Sequence, residues 1–485
     1  MRLYPLSFLL IMMLAGCMKV GPDYKAFDVA LPDAWSQKIV NDVESPVSGS
    51  VLWWYKFGDP VLNWFILRAR QANPNIYIAS RRATEGWNQR KVLEAALFPK
   101  LDLYGSDSHG ILTYDKDYIN IDPSGGQETL GQFQYSWDLD VFGKTKRTVE
   151  AASRNYESKV EGWRDVMVFI TSEVAFSYIS YRTLQERLEV AKEGAAQFMK
   201  VRDKIRIRED LGVSSQLELK LASARYKTSQ GEIPRLQQQL NLARNRLAEL
   251  TALSLSETQV QLDRGRGIPI PPRTIATGVP ADMLRSRPDI RRAERKVAKA
   301  TAEVGVAEAM LYPDFSLSGA LSYEFLRHGS VTTILDRVMG IGATVKWKLF
   351  RKGREQYRMK EFEAKLDQTY GEYQQVILKS LREVEDSMAL LRYTKKRLNI
   401  LLQASQDHLE TADLMEEAYI VDEVDLQRML NARQDQITVQ DEREATRGRY
   451  AMHAVRLFKA LGGGELKGAP VYVERKKADG EEKVR

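Results

Sequence analysis

The spacing of apolar and polar positions changes period within one stretch, residues 279–325. Small and apolar residues Ala293, Val297, Ala300, Val304 and Ala307 recur every three or four positions, which predicts a helix. That helix should end at Tyr312-Pro313, because proline lacks a backbone donor and biases the residue before it away from helical geometry. Phe315, Leu317, Gly319, Leu321, Tyr323 and Phe325 then alternate with Ser316, Ser318, Ala320, Ser322 and Glu324, a strand with one apolar face and one rich in hydroxyls. The same transition occurs earlier, where Ala95-Ala96-Leu97-Phe98-Pro99 precedes Leu101, Leu103 and Gly105. Pro99 and Pro313 are therefore expected to be helix-to-strand hinges.

Each hinge has a second alternating segment downstream, Phe133 to Val141 and Ile341 to Leu349. Trp137 and Trp347 stand 210 residues apart, and the same offset relates Gly212 to Asp422, Ala222 to Ala432 and Leu247 to Leu457. The chain reads as an internal duplication, with strands expected at about 99–109, 129–141, 314–325 and 340–350. Segments of about ten alternating residues suit a barrel strand crossing a bilayer obliquely, although a soluble sandwich shows the same alternation. The polar second faces and the long neighbouring helices favour the membrane. Four strands cannot close a barrel, since the smallest have about eight, so that reading requires oligomerisation, and three chains would supply twelve. The polar connections 110–128 and 326–340 should join the strand pairs outside the cell. His109 and His328 sit near their bases without a second ligand at useful spacing, so no metal is expected there.

From Val149 through Ala152, Tyr156, Val160, Trp163, Met167, Ile170, Val174, Tyr178 and Tyr181 to Leu188, apolar residues recur at spacings of three and four, as in a coiled coil. A helix of about 65 residues would be roughly 100 Å long. The second half repeats it over about 353–419, with Tyr370, Ile377, Val384, Leu391 and Leu398 in strict seven-residue steps. Polar tips are expected at 210–212 and 421–423, and return helices over about 215–252 and 424–461, the last stopped by Gly462-Gly463-Gly464. Asp59-Pro60 marks a further helix start.

Arg2 and the apolar run Leu6 to Leu14 have the form of an export signal, too short to span a membrane. Leu14-Ala15-Gly16-Cys17 is what a lipoprotein signal peptidase accepts, so Cys17, the only cysteine, is expected to carry covalent lipid. A plain secretory signal is the alternative. Met18 after it, by analogy with lipoprotein sorting, favours the outer membrane. The expected organisation is a signal peptide over 1–16, a lipidated extended arm over 17–50, a first repeat over 51–265, a second over 266–464 and a disordered charged tail over 465–485.

The net charge of +7 is spread over both signs with no basic run beside clustered aromatics, which gives nucleic-acid binding little support. None of the four histidines, His109, His328, His408 and His453, falls in a metalloprotease-type motif, and no phosphate-binding Gly-x-x-x-x-Gly-Lys loop occurs. An enzyme is therefore not expected.

Several pieces together carry a resemblance: Cys17 with Val20-Gly21-Pro22-Asp23-Tyr24, Phe57-Gly58-Asp59-Pro60, Trp137 to Gly143, Arg287-Pro288-Asp289-Ile290 with Ala293-Glu294, Tyr312-Pro313 and Ala460 to Gly464. From Cys17 to Gly464 the chain resembles the TolC-type outer-membrane factors, in particular their lipoprotein branch. The resemblance implies a mixed α and β membrane protein: a homotrimer with a 12-strand outer-membrane barrel continuous with a 12-helix periplasmic tunnel. It also implies a lipid-anchored location in the outer membrane of a Gram-negative bacterium, a periplasmic adaptor protein docked on the helical tip, a proton-driven inner-membrane pump as the energy source, and no cofactor.

Such channels commonly narrow at aspartates one turn into the return helix. Here the position in the second half is Arg428, followed by Asn431, and its counterpart in the first is Glu218. Glu218 and Arg428 are expected to pair and hold the tip shut, with Asp422 and Asp425 supplying acidity nearer the mouth; as an alternative, both are solvated outer-face charges. A structural coiled-coil spacer without transport is the competing function. It accounts for the helices and Cys17 but not for the four strands.

Overall fold

The computed structural model describes residues 19–26, 32–36, 52–110, 126–275, 286–328 and 331–463. Cys17, the signal stretch, most of the arm, the connection 111–125 and the charged tail lie outside the described residues. In chain order a 3-10 turn (Trp53–Phe57) precedes α1 (Pro60–Ala72), α2 (Pro74–Ala95), β1 (Lys100–Gly110), β2 (Gly126–Leu139), α3 (Lys144–Asp210), α4 (Gln216–Thr251) and α5 (Leu255–Leu262). Then come α6 (Pro288–Ala309), β3 (Asp314–His328), β4 (Val331–Lys346), α7 (Arg354–Ile420) and α8 (Leu426–Ala460). The two rods, α3 and α7, have 67 residues each, about 100 Å at helical rise.

The chain forms two compact units, each drawing on both repeats. One comprises Met1–Asp28, Arg82–Lys159 and Arg292–Tyr373; the other Val29–Arg81, Val160–Arg291 and Gln374–Arg485.

The first unit holds one antiparallel sheet in the order β1-β2-β3-β4. Its register sets Leu103 opposite Phe133, Phe133 opposite Leu321 and Leu321 opposite Met339, so the apolar positions of all four strands share a face. Tryptophans 210 residues apart close the helix-to-strand corners: the Trp137 indole donates to the Leu97 carbonyl at 3.1 Å and the Trp347 indole to the Leu311 carbonyl at 3.2 Å. Pro99 and Pro313 fall between helix and strand.

The second strand pair differs from the sequence expectation. β4 starts at Val331, so most of the expected polar connection 326–340 is strand, and β4 stops at Lys346 instead of reaching 350. A register shift between Glu324 and Phe325 accounts for the hidden first residues of β4: Glu324 pairs with Asp336 while Phe325 pairs with Ile334, leaving Leu335 as the extra residue. A bulge reverses which face alternate residues take, so the period-two signal breaks there. His109 and His328 are consequently strand residues, not loop ones.

Arg147 is the buried centre of this unit, only 1% exposed. Its guanidinium donates to the carbonyls of Val20 at 2.9 Å and Gly21 at 2.6 Å and to the carboxylates of Asp23 and Glu150, both at 2.9 Å. A buried cation needs this many partners to offset desolvation. Gly305 makes room for it, since a Cβ there would lie 2.7 Å from Arg147 Nε, and one on Gly21 would lie 2.4 Å from Gly305 Cα. The Val-Gly-Pro-Asp-Tyr segment is thus a strap seated by one arginine.

In the second unit, Asp59 caps α1 through the amides of Val61 and Leu62 and accepts from the buried Tyr178 hydroxyl at 2.8 Å. Trp53 stacks on Phe458 with ring centroids 5.3 Å apart, at the centre of a core that includes Phe65, Tyr178, Met388 and Val455. Arg287, first of the Arg-Pro-Asp-Ile motif, grips Asp289 with two nitrogens and also donates to Glu383 at 2.7 Å and to the Ala460 carbonyl at 2.8 Å. It ties the start of α6 to the end of α8 and to α7.

Gly305→Val should break the Arg147 strap, at about 1–3 kcal/mol for overpacking. Trypsin should then cut at Lys19 and Lys25 several-fold faster than in the parent; an unchanged cutting rate would contradict the strap.

Candidate functional site

Two surfaces bear on function. The first is the sheet. Leu101, Leu103, Met339, Ile341 and Val345, all on its apolar face, are 60 to 86% exposed. A bare apolar face of this size is unusual for a protein surrounded by water. The opposite face carries Asp102, Gln134, Ser136, Ser316, Ser318 and Thr344. One edge of β1 and one edge of β4 have no strand partner among the described residues. No helix among the described residues is long and apolar enough to cross a membrane.

The second surface is the pair of turns where the long helices reverse, both in the second unit. The turns are copies at the 210-residue offset. The Val213 amide bonds to the Arg208 carbonyl and that of Gly212 to Glu209, while Glu423 bonds to Ala418 and Asp422 to Tyr419. Gly212 and Asp422 both take positive φ, 72° and 59°, which glycine adopts freely and aspartate tolerates. Ser215 and Asp425 then cap the return helices.

Below the turns lies a small core of Phe198, Val201, Ile205, Ala222, Leu426, Met429 and Leu430. Polar links join the two hairpins around it. Lys204 of α3 crosses to Glu416 of α7 at 3.0 Å; within the second hairpin, Arg433 of α8, 7% exposed, holds that carboxylate at 2.9 Å and Asp413 at 3.0 Å. Arg225 donates to Asn431 at 2.7 Å, and Arg208 lies 3.7 Å from Asp422. Burial raises the Glu416 carboxyl pKa, but Lys204 and Arg433 outweigh it and hold the group below the ordinary glutamate value. The Tyr419 hydroxyl is pushed up by burial and by the nearby Glu218 carboxylate.

Of the residues singled out in the sequence, Asn431 and Asp422 join cross-hairpin links. Glu218 and Arg428 do not meet within the chain. Glu218 caps its own helix by accepting from the Ser215 amide at 2.9 Å, and Arg428 sits 3.5 Å from Asp425. The reason is local: a glutamate three residues after a serine N-cap completes a capping box, which engages it before it can reach another helix. Arg208, Arg225, Arg433 and Lys204 were missed, since in helices so rich in charge no spacing separates a connector from a solvated side chain. Cys17 lies outside the described residues. Among those described, no group of three His, Cys, Asp or Glu could hold a metal ion.

The family model described as outer membrane efflux protein matches residues 66–253 and 279–463. The chain is 26% identical over 477 residues to the probable outer membrane lipoprotein SilC of Salmonella typhimurium, covering 96% of this chain and 99% of that one. It is 25% identical over 490 residues to the toluene efflux pump outer membrane protein TtgF of Pseudomonas putida, covering 96% and 97%. Among solved structures it is similar to the outer-membrane channel OprN, with a TM-score of 0.83 at 26% identity over 92% of this chain and 99% of that one.

Because the Glu416 pKa is depressed in the folded state, its stabilising contribution is present above the unfolded value near 4.5 and is lost as pH falls through the folded value. Glu416→Gln should therefore lower the thermal midpoint at pH 7 and lower it less at pH 3. Equal lowering at both pH values would contradict the ion-pair account.

Proposed function

The chain belongs to the outer membrane efflux protein family, and on that premise we propose that it is the outer-membrane exit duct of a tripartite efflux system, passively conducting solutes across the periplasm and outer membrane. The observation that carries this reading is the sheet: a bare apolar face with two unpaired edges. In lipid every backbone polar group must be satisfied internally, so such a sheet is stable only when its edges are paired. Three copies joined β4 to β1 supply twelve strands and leave no edge. A periplasmic coiled-coil spacer has no use for that face.

The strap supports the lipid anchor. Lys19 packs on Gly143, at the start of α3, and Cys17 precedes it by two residues. An acyl chain on Cys17 would enter the bilayer close to the inner end of β2. In the second unit, Ile207, Leu211, Val213, Leu217, Ile420 and Val421 are 61 to 73% exposed around the two turns. This apolar cluster is the surface on which a periplasmic adaptor would dock, with an inner-membrane pump supplying the energy.

The tip acts as the gate. An exposed charged link is worth about 0.5 kcal/mol, so Arg208–Asp422 and Arg225–Asn431, repeated in three copies, contribute about 3 kcal/mol to the closed state. That is roughly a hundredfold in the closed-to-open ratio. Asp425 and Arg428 stand at the same mouth and tune its charge.

Purified protein in planar bilayers should therefore conduct, and Arg208→Ala with Arg225→Ala should raise the open fraction at least tenfold. Wild type that inserts without conducting would contradict the duct; a variant with unchanged open fraction would contradict the gate.

A further inference from the structure

The two sides of α8 differ in chemistry. Ala451, Ala454, Val455 and Phe458 are buried in the core beneath Trp53. The opposite side carries Arg449, His453, Arg456 and Lys459, at spacings of four, three and three, and lines a cleft of about 610 Å³. Glu173 and Phe176 of α3 form one wall, and Arg382, Glu383 and Asp386 of α7 the other. An adjoining cleft of about 530 Å³ shares Asp386 and Arg456 and runs along α7 past Tyr393 to Arg397.

The charges in these clefts do not balance. Glu383 is engaged by Arg287 at 2.7 Å, Asp386 by Arg382 at 3.2 Å and Glu173 by Arg246 at 3.9 Å. Arg397 and Arg449 share Glu442. Among the described residues Arg456 and Lys459 form no ion pair, and Lys459 lies over the Phe169 ring at 4.8 Å. His453 adds no charge near neutrality: burial and the neighbouring Arg456 and Arg449 hold its pKa down to about 4.

The direction in which this side of α8 looks follows from its neighbours. α3 flanks α8 so closely that a Cβ on Gly448 would lie 2.0 Å from Thr183 Oγ1, and α7 flanks it through Arg397 and Glu442. Residues 53–57 cover a third side. On the duct reading, a wall of such helices leaves the one remaining side to face the conduit.

We propose that this side of α8 is an anion-binding girdle in the conduit, built on Arg456 and Lys459 and taking solutes that carry phosphate, sulfonate or carboxylate groups. The proposal rests on the duct reading and adds a substrate class to it. Three copies set six cations without acidic partners at one level of a water-filled passage with low-dielectric walls, which concentrates the field. The Arg456 guanidinium suits the forked acceptors of such groups, and Lys459 adds a point charge. His453, neutral, leaves a ring donor for an anion oxygen.

The test uses inorganic pyrophosphate and the purified trimer at about 10 mM salt, where the screening length is about 30 Å. Titration calorimetry should show binding to the wild type and at least tenfold weaker binding to Arg456→Gln/Lys459→Gln, whose trimer mass is checked first. In bilayers pyrophosphate should block wild-type current, and the variant should resist it to the same degree. Equal binding by both proteins, no binding by either, or binding without block of a conducting trimer overturns the girdle. Pyrophosphate binding that the variant loses, in a trimer that never conducts, overturns the duct and the girdle with it.

Discussion

The rest of the structure depends on one constraint, the hydrogen-bonding demand of a four-stranded sheet in lipid. Apolar side chains from all four strands, among them Leu101, Leu103, Phe133, Leu321, Met339 and Ile341, are collected by the register on one uncovered face. That face favours hydrocarbon, but the open edges of β1 and β4 cannot enter it unpaired, because each unsatisfied backbone group there costs several kcal/mol. The chain is therefore built to be completed by other copies of itself.

The duplication fits that demand. Each repeat supplies one strand pair, one rod and one return helix, and the matching turns at Gly212 and Asp422 reverse the chain with the same backbone geometry. Specific side chains then fix pieces that periodicity leaves loose. Arg147 seats the arm, Arg287 joins three helices, and Arg433 braces α8 against α7 below the tip. In each case a mostly buried guanidinium with several acceptors does what apolar packing cannot, which is to set a single arrangement between long, slippery helices.

Much of this architecture was legible because periodicity is redundant over long elements. The 67-residue rods, the tryptophan pair and the Pro99 and Pro313 corners all show in the sequence. The start of β4 did not: beyond the extra residue Leu335, positions 331–334 are out of phase with the rest of the strand, so the alternation does not run through to its first residue. The tip was half legible. Its location followed from the turns, but the cross-hairpin contacts of Asn431 and Asp422 did not, and within the chain Glu218 completes a capping box while Arg428 lies by Asp425. In surface helices of mixed charge many pairings lie within about 1 kcal/mol of one another, so spacing alone does not choose among them.

The most direct test of the central claim is the native mass of the complex extracted gently from membranes, with bound detergent subtracted. Closure of twelve strands predicts three chains, each of 55.4 kDa before any processing. A stable species of one chain would leave both sheet edges open and contradict the account.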